Sequence, residues 1–432
     1  MGKINLTFLG QWKKDEYALS RLGVIAEAAL EYFIAIVTSG AYLAKITSAL
    51  SFSDSLTGVL SAFVSLGCIF QLGSGVLFKH ARRVKGRVIA FQMVYQLLFV
   101  VVYLTPVLSA HANVRTGVFL SAFLSAYILI NLVRSQKNTW MLSLIDDKKR
   151  GSFTATKEIV SLLSGMVFTY IIGSAIDRFE YAGNMNGAFV LLAIVIFVIN
   201  AIHMATLFMI KEKPSEISGS LDVKMGIRDV IRNKKVMGVI LIGVIWYIAT
   251  YTATPFYGAY QINQLNFSMR FISVLSIVYA IVRSIVSPFM GKLADRHGFV
   301  KMAFLCFIVA GLGFLAGAFT APSNGRAMFF IYNILNAVSM AGINSAILNI
   351  VFGYAPLEIR SQAIALNQAV CGVCGFLTTC AASSLVDRIQ KNGNMILGLH
   401  LYPQQVMSFI AAIITAGLLT YTYFGVIRKE KA

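Results

Sequence analysis

Residues 150–180 read RGSFTATKEIVSLLSGMVFTYIIGSAIDRFE, and residues 360–390 read RSQAIALNQAVCGVCGFLTTCAASSLVDRIQ. The two stretches align without a gap at an offset of 210 residues. The identical pairs are Arg150 and Arg360, Ala155 and Ala365, Val160 and Val370, Gly165 and Gly375, Thr169 and Thr379, Ser174 and Ser384, Asp177 and Asp387, and Arg178 and Arg388. Matches at polar and glycine positions are harder to obtain by chance than matches of apolar residues. The chain therefore contains an internal repeat.

A second pair of segments repeats with nearly the same offset. Residues 50–61 and 265–276 align at an offset of 215. The shared pairs are Leu50 and Leu265, Phe52 and Phe267, Ser53 and Ser268, Val59 and Val274, Leu60 and Leu275, and Ser61 and Ser276. Because both repeats keep their order along the chain, we predict two halves of the same orientation. An axis along the membrane normal relates them, and a cavity lies between them.

The composition is that of a protein embedded in lipid. Of the 432 residues, 57% are hydrophobic and 13% are charged, whereas a soluble domain carries about 25% charged residues. Twelve apolar runs have the length that a helix needs to cross roughly 30 Å of hydrocarbon. They cover residues 22–44, 56–78, 88–109, 116–134, 156–176, 187–209, 236–258, 271–290, 301–320, 328–350, 363–384 and 404–426. The predicted fold is an all-α membrane protein with twelve transmembrane helices in two six-helix halves.

The distribution of basic residues predicts the orientation. If the N-terminus is cytoplasmic, 29 of the 37 Lys and Arg residues fall on the cytoplasmic side, seven fall on the other side, and Arg283 lies inside a helix. This asymmetry follows the positive-inside rule and places both termini in the cytoplasm. The net charge of +19 is thereby explained by topology, which argues against nucleic acid as a partner.

The longest polar stretch divides the chain. It covers residues 211–235 and includes a short amphipathic segment, Val223 to Ile231. We predict an N-terminal six-helix bundle over residues 1–210, a central cytoplasmic loop over 211–235 and a C-terminal six-helix bundle over 236–432.

The loop after the eighth predicted helix carries a recognisable motif. It reads Gly291-Lys-Leu-Ala-Asp295-Arg296-His-Gly298, which resembles the cytoplasmic loop signature G-x-L-a-D-r-x-G of the major facilitator superfamily. The glycines permit a sharp turn and close approach, and the aspartate can sit at the positive end of a neighbouring helix. The resemblance implies a loop that latches the two halves in one access state. No subfamily is identified from these residues.

The first half departs from this family pattern. The equivalent loop, residues 75–83, contains Gly75 and Arg83 but has Lys79 in place of the acid. An acid-based latch is therefore not expected on that side. The fifth helix also lacks the Gly-Pro motif of drug/proton antiporters in the superfamily, since Ser164-Gly165 is followed by Met.

Two charged residues lie deep in predicted spans, where each is a functional hypothesis by default. Arg283 lies about 12 Å from the corner at Gly291 at 1.5 Å per residue, and it is expected to bind an anionic group of the solute. Glu31 is the deepest acid of the first span, and we predict that it binds substrate or carries a coupling proton. A structural ion pair remains the alternative for Arg283. Glu27, one turn below Glu31, is expected to face the headgroups or to cap a partner.

Aromatic and amide side chains supply further candidates. In the superfamily, the first helix of each three-helix unit lines the cavity. The resemblance therefore implies contacts of the solute with Trp246, Tyr247, Thr250, Tyr251, Asn131, Asn333 and Asn336. Asn344, Asn367 and Gln368 are additional amides, although such groups often bond only to the next helix. His203 is expected to be peripheral.

The function predicted from these observations is secondary active transport by alternating access, coupled to protons. Arg283 and Glu31 favour an anionic or zwitterionic organic solute, and a drug or metabolite exporter of the same superfamily is the alternative. A membrane enzyme is disfavoured because no acids or histidines cluster at one membrane face. No ATP-binding loop, cofactor or metal site is expected. We expect a monomer that spans the cytoplasmic membrane of a bacterium, with a small solute and a coupling ion as its partners.

Overall fold

A computed structural model describes residues 16–70, 83–145, 150–213, 223–356, 359–396 and 398–428. The described chain is almost entirely helical. The helices are α1 (Ala18–Val37), α2 (Gly40–Ala49), α3 (Asp54–Leu66), α4 (Lys85–Leu104), α5 (Ala112–Ser143), α6 (Arg150–Tyr181), α7 (Met185–Met209), α8 (Val223–Arg232), α9 (Lys234–Ala259), α10 (Met269–His297), α11 (Phe299–Ala318), α12 (Gly325–Tyr354), α13 (Arg360–Lys391) and α14 (Pro403–Tyr421). One hairpin pairs β1 (Met395–Ile396) with β2 (Leu399–His400).

The predicted spans coincide with helices. Among the described residues, ten helices are long and apolar enough to cross a membrane, or eleven if the bent pair α1 and α2 forms one span. The predicted span over residues 56–78 begins as the shorter helix α3, and its second part lies outside the described residues. The multi-pass helical fold is therefore confirmed, whereas the count of twelve and the side of the termini remain predictions. The amphipathic segment that begins at Val223 forms the helix α8.

The internal repeat has a structural counterpart at two helix starts. The hydroxyl of Ser53 accepts a hydrogen bond from the backbone N–H of Leu56 at 3.2 Å, and Ser268 does the same for Phe271 at 3.2 Å. A serine at this position satisfies one of the N–H groups that a helix start leaves free. The repeat-related serines thus begin α3 and α10 in the same way.

The chain divides into two compact units. Unit 1 contains the described parts of Met1–Val37, Phe70–Phe168 and Asn186–Ser218, and unit 2 contains those of Thr38–Ile69, Thr169–Met185 and Gly219–Ala432. Within unit 2, α2 and α3 pack against α9, and α3 also packs against α13. Segments of the first sequence half therefore belong to the compact unit that holds the second half. The predicted division of the chain into two six-helix bundles by the loop at residues 211–235 remains a prediction.

Unit 1 has its own apolar core. Aliphatic side chains of α1, α4, α5 and α7 pack there against an aromatic side chain of α5. The members of this core include Val24, Val88, Val133, Trp140 and Leu207. The indole N–H of Trp140 donates to the backbone carbonyl of Lys211 at 3.0 Å. This core lies beside the polar groups described below.

A proline shapes the middle of unit 2. Pro255 lies inside α9 and has no N–H, so the carbonyl of Tyr251 loses its helical donor. The hydroxyl of Thr379 on α13 donates to that carbonyl at 2.7 Å. Pro255 thus frees a backbone carbonyl for a side chain of another helix, although α9 continues unbroken to Ala259.

Repeat-related glycines make room for tyrosine rings. A Cβ atom on Gly165 would collide with the ring of Tyr32 inside unit 1. A Cβ atom on Gly375 would come within 2.9 Å of the ring of Tyr251 inside unit 2. Both positions therefore require the absence of a side chain for the same reason.

Candidate functional site

A group of charged side chains lies inside unit 1, where α1 and α5 contact each other. The Lys137 ammonium on α5 is 2.8 Å from a carboxylate oxygen of Glu27 on α1, and both side chains are 4% exposed. The same ammonium donates to Glu31, whose side chain is 29% exposed. Glu27 and Glu31 are four residues apart and thus lie on one face of α1. Lys137 therefore bridges both carboxylates from a neighbouring helix.

Two glutamines and a histidine complete this group. Lys137 donates to Gln92 Oε1 on α4 at 3.3 Å. His203 on α7 is fully buried, with its Nδ1 2.8 Å from Gln96 Nε2 and its Nε2 3.5 Å from Glu27 Oε1. Four helices thus contribute to one polar group, which we call the charge cluster. Its members are Glu27, Glu31, Gln92, Gln96, Lys137 and His203.

The charge cluster has one more carboxylate than it has ammonium groups. With a neutral imidazole, Glu27, Glu31 and Lys137 together carry a net charge of about −1, because carboxylates are ionised and lysine is protonated at neutral pH. An uncompensated charge inside protein and lipid is costly. One proton on a carboxylate removes it, and Glu31 is the more exposed of the two. The charge cluster thus holds two carboxylates against one ammonium group.

One prediction for this region is wrong. His203 is not peripheral, since none of its surface is exposed. Glu27 contacts a partner and not the headgroups, which is one of the two options predicted for it, since the residue is 3% exposed and paired with Lys137. Lys137 is absent from the predicted site because the predicted span ends at residue 134, whereas α5 continues to Ser143. The available signal is the pair of acids in an apolar run, which requires a basic partner on another helix.

Unit 2 contains a pocket of about 350 Å³ between its membrane-spanning helices. Side chains of α9, α12 and α13 line the pocket together with one residue of α3. The lining consists of Ser61, Trp246, Tyr247, Thr250, Tyr251, Thr254, Pro255, Met340, Asn344, Ile347, Leu348, Asn367, Gln368 and Cys371. Four predicted solute contacts, Trp246, Tyr247, Thr250 and Tyr251, are thus brought together. We call this cavity the unit 2 pocket.

Aromatic packing fixes one wall of the unit 2 pocket. The rings of Tyr247 and Tyr251 stack with their centroids 5.5 Å apart and an angle of 15° between their planes. They lie one turn apart on α9, so both rings stand on the same face of that helix. Trp246 is 4% exposed and packs against Phe307, with ring centroids 5.4 Å apart. The wall is therefore anchored in the core of unit 2.

The other predicted solute contacts lie elsewhere. Asn131 in unit 1 is 1% exposed and donates to the carbonyl of Tyr127 at 2.9 Å, which is a bond within its own helix. Asn333 donates to Phe329 in the same manner at 2.8 Å. Asn333, Asn336 and Arg283 belong to unit 2, but they do not line the unit 2 pocket. Their roles in binding remain predictions.

The motif of the eighth and ninth predicted helices is a tight turn. Gly298 separates α10 from α11 and has a φ angle of 84°, which favours glycine. Gly291, by contrast, lies within α10, and no atom lies within 4 Å of a Cβ atom built on it. Asp295 and Arg296 are exposed, and Asp295 makes no hydrogen bond with the described part of the chain. Arg83 is exposed, and Gly75 lies outside the described residues. A gating role for this loop remains a prediction.

Polar contacts join α2 and the start of α3 to other parts of unit 2. Lys45 on α2 pairs with Glu180 on α6 at 2.5 Å. Asp54 at the start of α3 accepts hydrogen bonds from Asn263 at 2.6 Å and from Gln390 at 2.8 Å. These side chains lie at the ends of the spans rather than in their centres.

Comparison with known proteins gives a family match to the second half of the chain. Residues 239–432 match the sequence profile of the Major Facilitator Superfamily. A stretch of 73 residues is 36% identical to the bacillibactin exporter of Bacillus subtilis (strain 168), and it covers 16% of this chain and 18% of that protein. The matched stretch thus covers less than a fifth of the length of this relative.

Solved structures resemble the fold over nearly the whole chain. A variant of the nucleoside transporter NupG superimposes with a TM-score of 0.74 at 12% identity, covering 94% of this chain and 99% of that one. A D-xylose-proton symporter superimposes with a TM-score of 0.67 at 14% identity, covering 93% and 97%. The profile match assigns residues 239–432 to the Major Facilitator Superfamily, and the solved transporter structures share the fold over nearly the whole chain.

Proposed function

We propose that the protein is a proton-coupled secondary transporter that moves a small organic solute across the cytoplasmic membrane by alternating access. In this proposal, twelve spans form two six-helix halves and both termini are cytoplasmic. The charge cluster is the observation that carries the proposal, because one buried and one partly exposed carboxylate share one ammonium there. The likeness to a D-xylose-proton symporter supports it at the level of the fold.

In the proposed mechanism, Glu31 accepts the proton, and Lys137 changes its ion-pair partners as a result. While Glu31 is ionised, Lys137 is held by both carboxylates of α1. When Glu31 takes up a proton, Lys137 pairs with Glu27 alone, and the contact between α1 and α5 weakens. Protonation thereby changes the free energy of helix packing, and a proton gradient can bias the two access states.

The test uses proteoliposomes that contain the pH-sensitive dye pyranine, with the membrane potential clamped by valinomycin and potassium. D-xylose, uridine, lactate and betaine are added as neutral, anionic and zwitterionic probes. Wild-type protein is expected to move protons when a transported probe is added. Glu31→Gln is expected to exchange labelled probe across the membrane without net proton movement. Glu16→Gln is the matched control, because Glu16 is 67% exposed and pairs with Lys211 on the surface.

Two results would contradict proton coupling. The first is accumulation of a probe that neither a protonophore nor a pH gradient changes. The second is unaltered proton movement in Glu31→Gln. Dependence of accumulation on sodium would assign the charge cluster to a metal cation instead of a proton.

Two further parts of the proposal concern the solute. The expected preference for anionic or zwitterionic solutes rests on Arg283, which does not line the unit 2 pocket, and lactate and betaine test it directly. Export of a drug or metabolite is the alternative, and the short match to a bacillibactin exporter favours it. Uptake into inside-out vesicles, compared with uptake into right-side-out vesicles, distinguishes export from import.

A further inference from the structure

We propose that the unit 2 pocket binds an uncharged, hydroxylated ring, so that the part of the solute held there is a neutral sugar or nucleoside moiety. This inference rests on the proposed function, namely that the protein carries a small organic solute. It concerns the chemistry of the pocket and is independent of the coupling ion.

The lining of the pocket contains no carboxylate, amine, guanidinium or imidazole group. Among the residues that line it, the polar groups are amides, hydroxyls and one thiol, with no Asp, Glu, Lys, Arg or His. An ionised group in such a site would lose its hydration without gaining a partner of opposite charge. The pocket therefore disfavours a carboxylate or an ammonium group and accepts a neutral solute.

Several polar groups of the pocket are available to a ligand. Asn344 on α12 and Gln368 on α13 have exposed side chains that make no hydrogen bond within the described residues. Thr250 Oγ1 on α9 is buried and likewise has no partner there. An amide offers donors and an acceptor, and a hydroxyl offers both functions in one group. A solute hydroxyl is the complement of this set, because it can donate and accept in turn.

The aromatic wall supplies a flat surface beside these groups. The rings of Tyr247 and Tyr251 are nearly parallel and stand on one face of α9. Thr250 and Thr254 of the same helix also line the cavity. Aromatic faces pack favourably against flat or weakly polar ring faces. A ring with hydroxyl groups at its edge and an apolar face matches both features of the pocket.

The experiment measures binding through Trp246, which lines the pocket. The chain contains three tryptophans, so replacing Trp12 and Trp140 with Phe leaves Trp246 as the single fluorescent reporter. D-xylose, maltose, uridine and myo-inositol form the neutral set, lactate and citrate form the anionic set, and tetraphenylphosphonium is the cation. Quenching by at least one member of the neutral set and by none of the charged probes is expected.

Substitutions in the lining locate the binding. Asn344→Ala and Gln368→Ala are each expected to weaken the neutral probe about fivefold, the effect of losing one hydrogen bond to an uncharged group. Asn349→Ala is the matched control on the same helix, because Asn349 donates to Ser345 at 2.9 Å and does not line the pocket. It is expected to bind as the parent does.

The outcomes separate this inference from the proposed coupling. Quenching by an organic anion that Arg283→Ala abolishes and Asn344→Ala leaves unchanged overturns the inference, as does the absence of quenching by every neutral probe. If a neutral probe binds as described but moves no protons in proteoliposomes, the neutral pocket stands and proton coupling fails. If proton movement follows an anion while the neutral set does not bind, coupling stands and the neutral pocket fails.

Discussion

Asp177 on α6 receives the backbone N–H of Met269, the first residue of α10, at 2.7 Å. Its second carboxylate oxygen receives the N–H of Arg270, also at 2.7 Å. Arg270 in turn donates to the hydroxyl of Tyr170, which also lies on α6, at 3.1 Å. A carboxylate at a helix start satisfies free N–H groups and interacts favourably with the helix dipole. Asp177 therefore ties a helix of the first sequence half to the start of a helix of the second half.

Replacing Asp177 with Asn should weaken this contact. Asn at this position keeps an oxygen acceptor but loses the negative charge, so a loss of about 1 kcal/mol in unfolding free energy is expected. Thermal unfolding in detergent measures the effect. The matched control is Asp387→Asn at the repeat-related position, since Asp387 makes no hydrogen bond with the described part of the chain. Equal melting temperatures for the two variants would show that the carboxylate of Asp177 does not stabilise α10.

Removing Lys137 should be among the most destabilising substitutions in the protein. Lys137→Ala leaves Glu27 and Glu31 without a cation, and breaking a buried ion pair costs about 3–5 kcal/mol. Combining Lys137→Met with Glu27→Gln removes the unpaired charge at the buried position, so folding should recover in part. Size-exclusion profiles and melting temperatures report both variants.

The control for Lys137 is the ion pair of Lys45 and Glu180, whose side chains are 13% and 45% exposed. Lys45→Ala should cost no more than about 1 kcal/mol, as is typical of a partly exposed pair. If Lys45→Ala lowered the melting temperature as much as Lys137→Ala, burial would not explain the contribution of the charge cluster to stability.

A double-mutant cycle tests the role of Pro255 and Thr379. Thr379→Val removes the donor to the Tyr251 carbonyl and should cost about 1–3 kcal/mol, because that carbonyl has no helical donor. Pro255→Ala restores an N–H at the position that bonds this carbonyl in a regular helix. In the Pro255→Ala background, Thr379→Val should therefore cost less. Additive melting temperatures would mean that the hydroxyl does not replace the missing N–H.

Substituting Gly375 should change the aromatic wall of the unit 2 pocket. The new methyl group of Gly375→Ala would press on the ring of Tyr251, and overpacking of this kind costs about 1–3 kcal/mol. Weaker quenching of Trp246 by a neutral probe and a lower melting temperature are expected. Gly417→Ala is the control on α14, where the space for a methyl group is open; there the higher helix propensity of Ala should raise stability by up to about 1 kcal/mol. An unchanged affinity in Gly375→Ala would remove Tyr251 from the solute site.

The amino-acid sequence by itself determined the membrane class, the positions of the spans, the repeat and the aromatic candidates of α9. These are properties of position along the chain: the length of apolar runs, the distribution of Lys and Arg between them, and residues that recur at a fixed offset. Ser53 and Ser268 illustrate this, since the repeat pairs them and both begin helices. Trp246, Tyr247, Thr250 and Tyr251 likewise lie on one segment, so a single helix brings them to the pocket.

Only the tertiary structure decided which polar residues meet. Lys137 is 106 residues from Glu31 along the chain, and neither its distance nor its rotation about the helix axis follows from hydropathy. Lipid tails are as apolar as leucine, so the apolar pattern of a membrane helix does not reveal which face turns towards another helix. The partners of Glu27 and His203, the exclusion of Arg283 from the pocket, and the contact of Asp177 with Met269 depend on that rotation. Packing between helices therefore determined the charge cluster. The sequence could predict only that Glu31, an acid inside an apolar span, has a functional role.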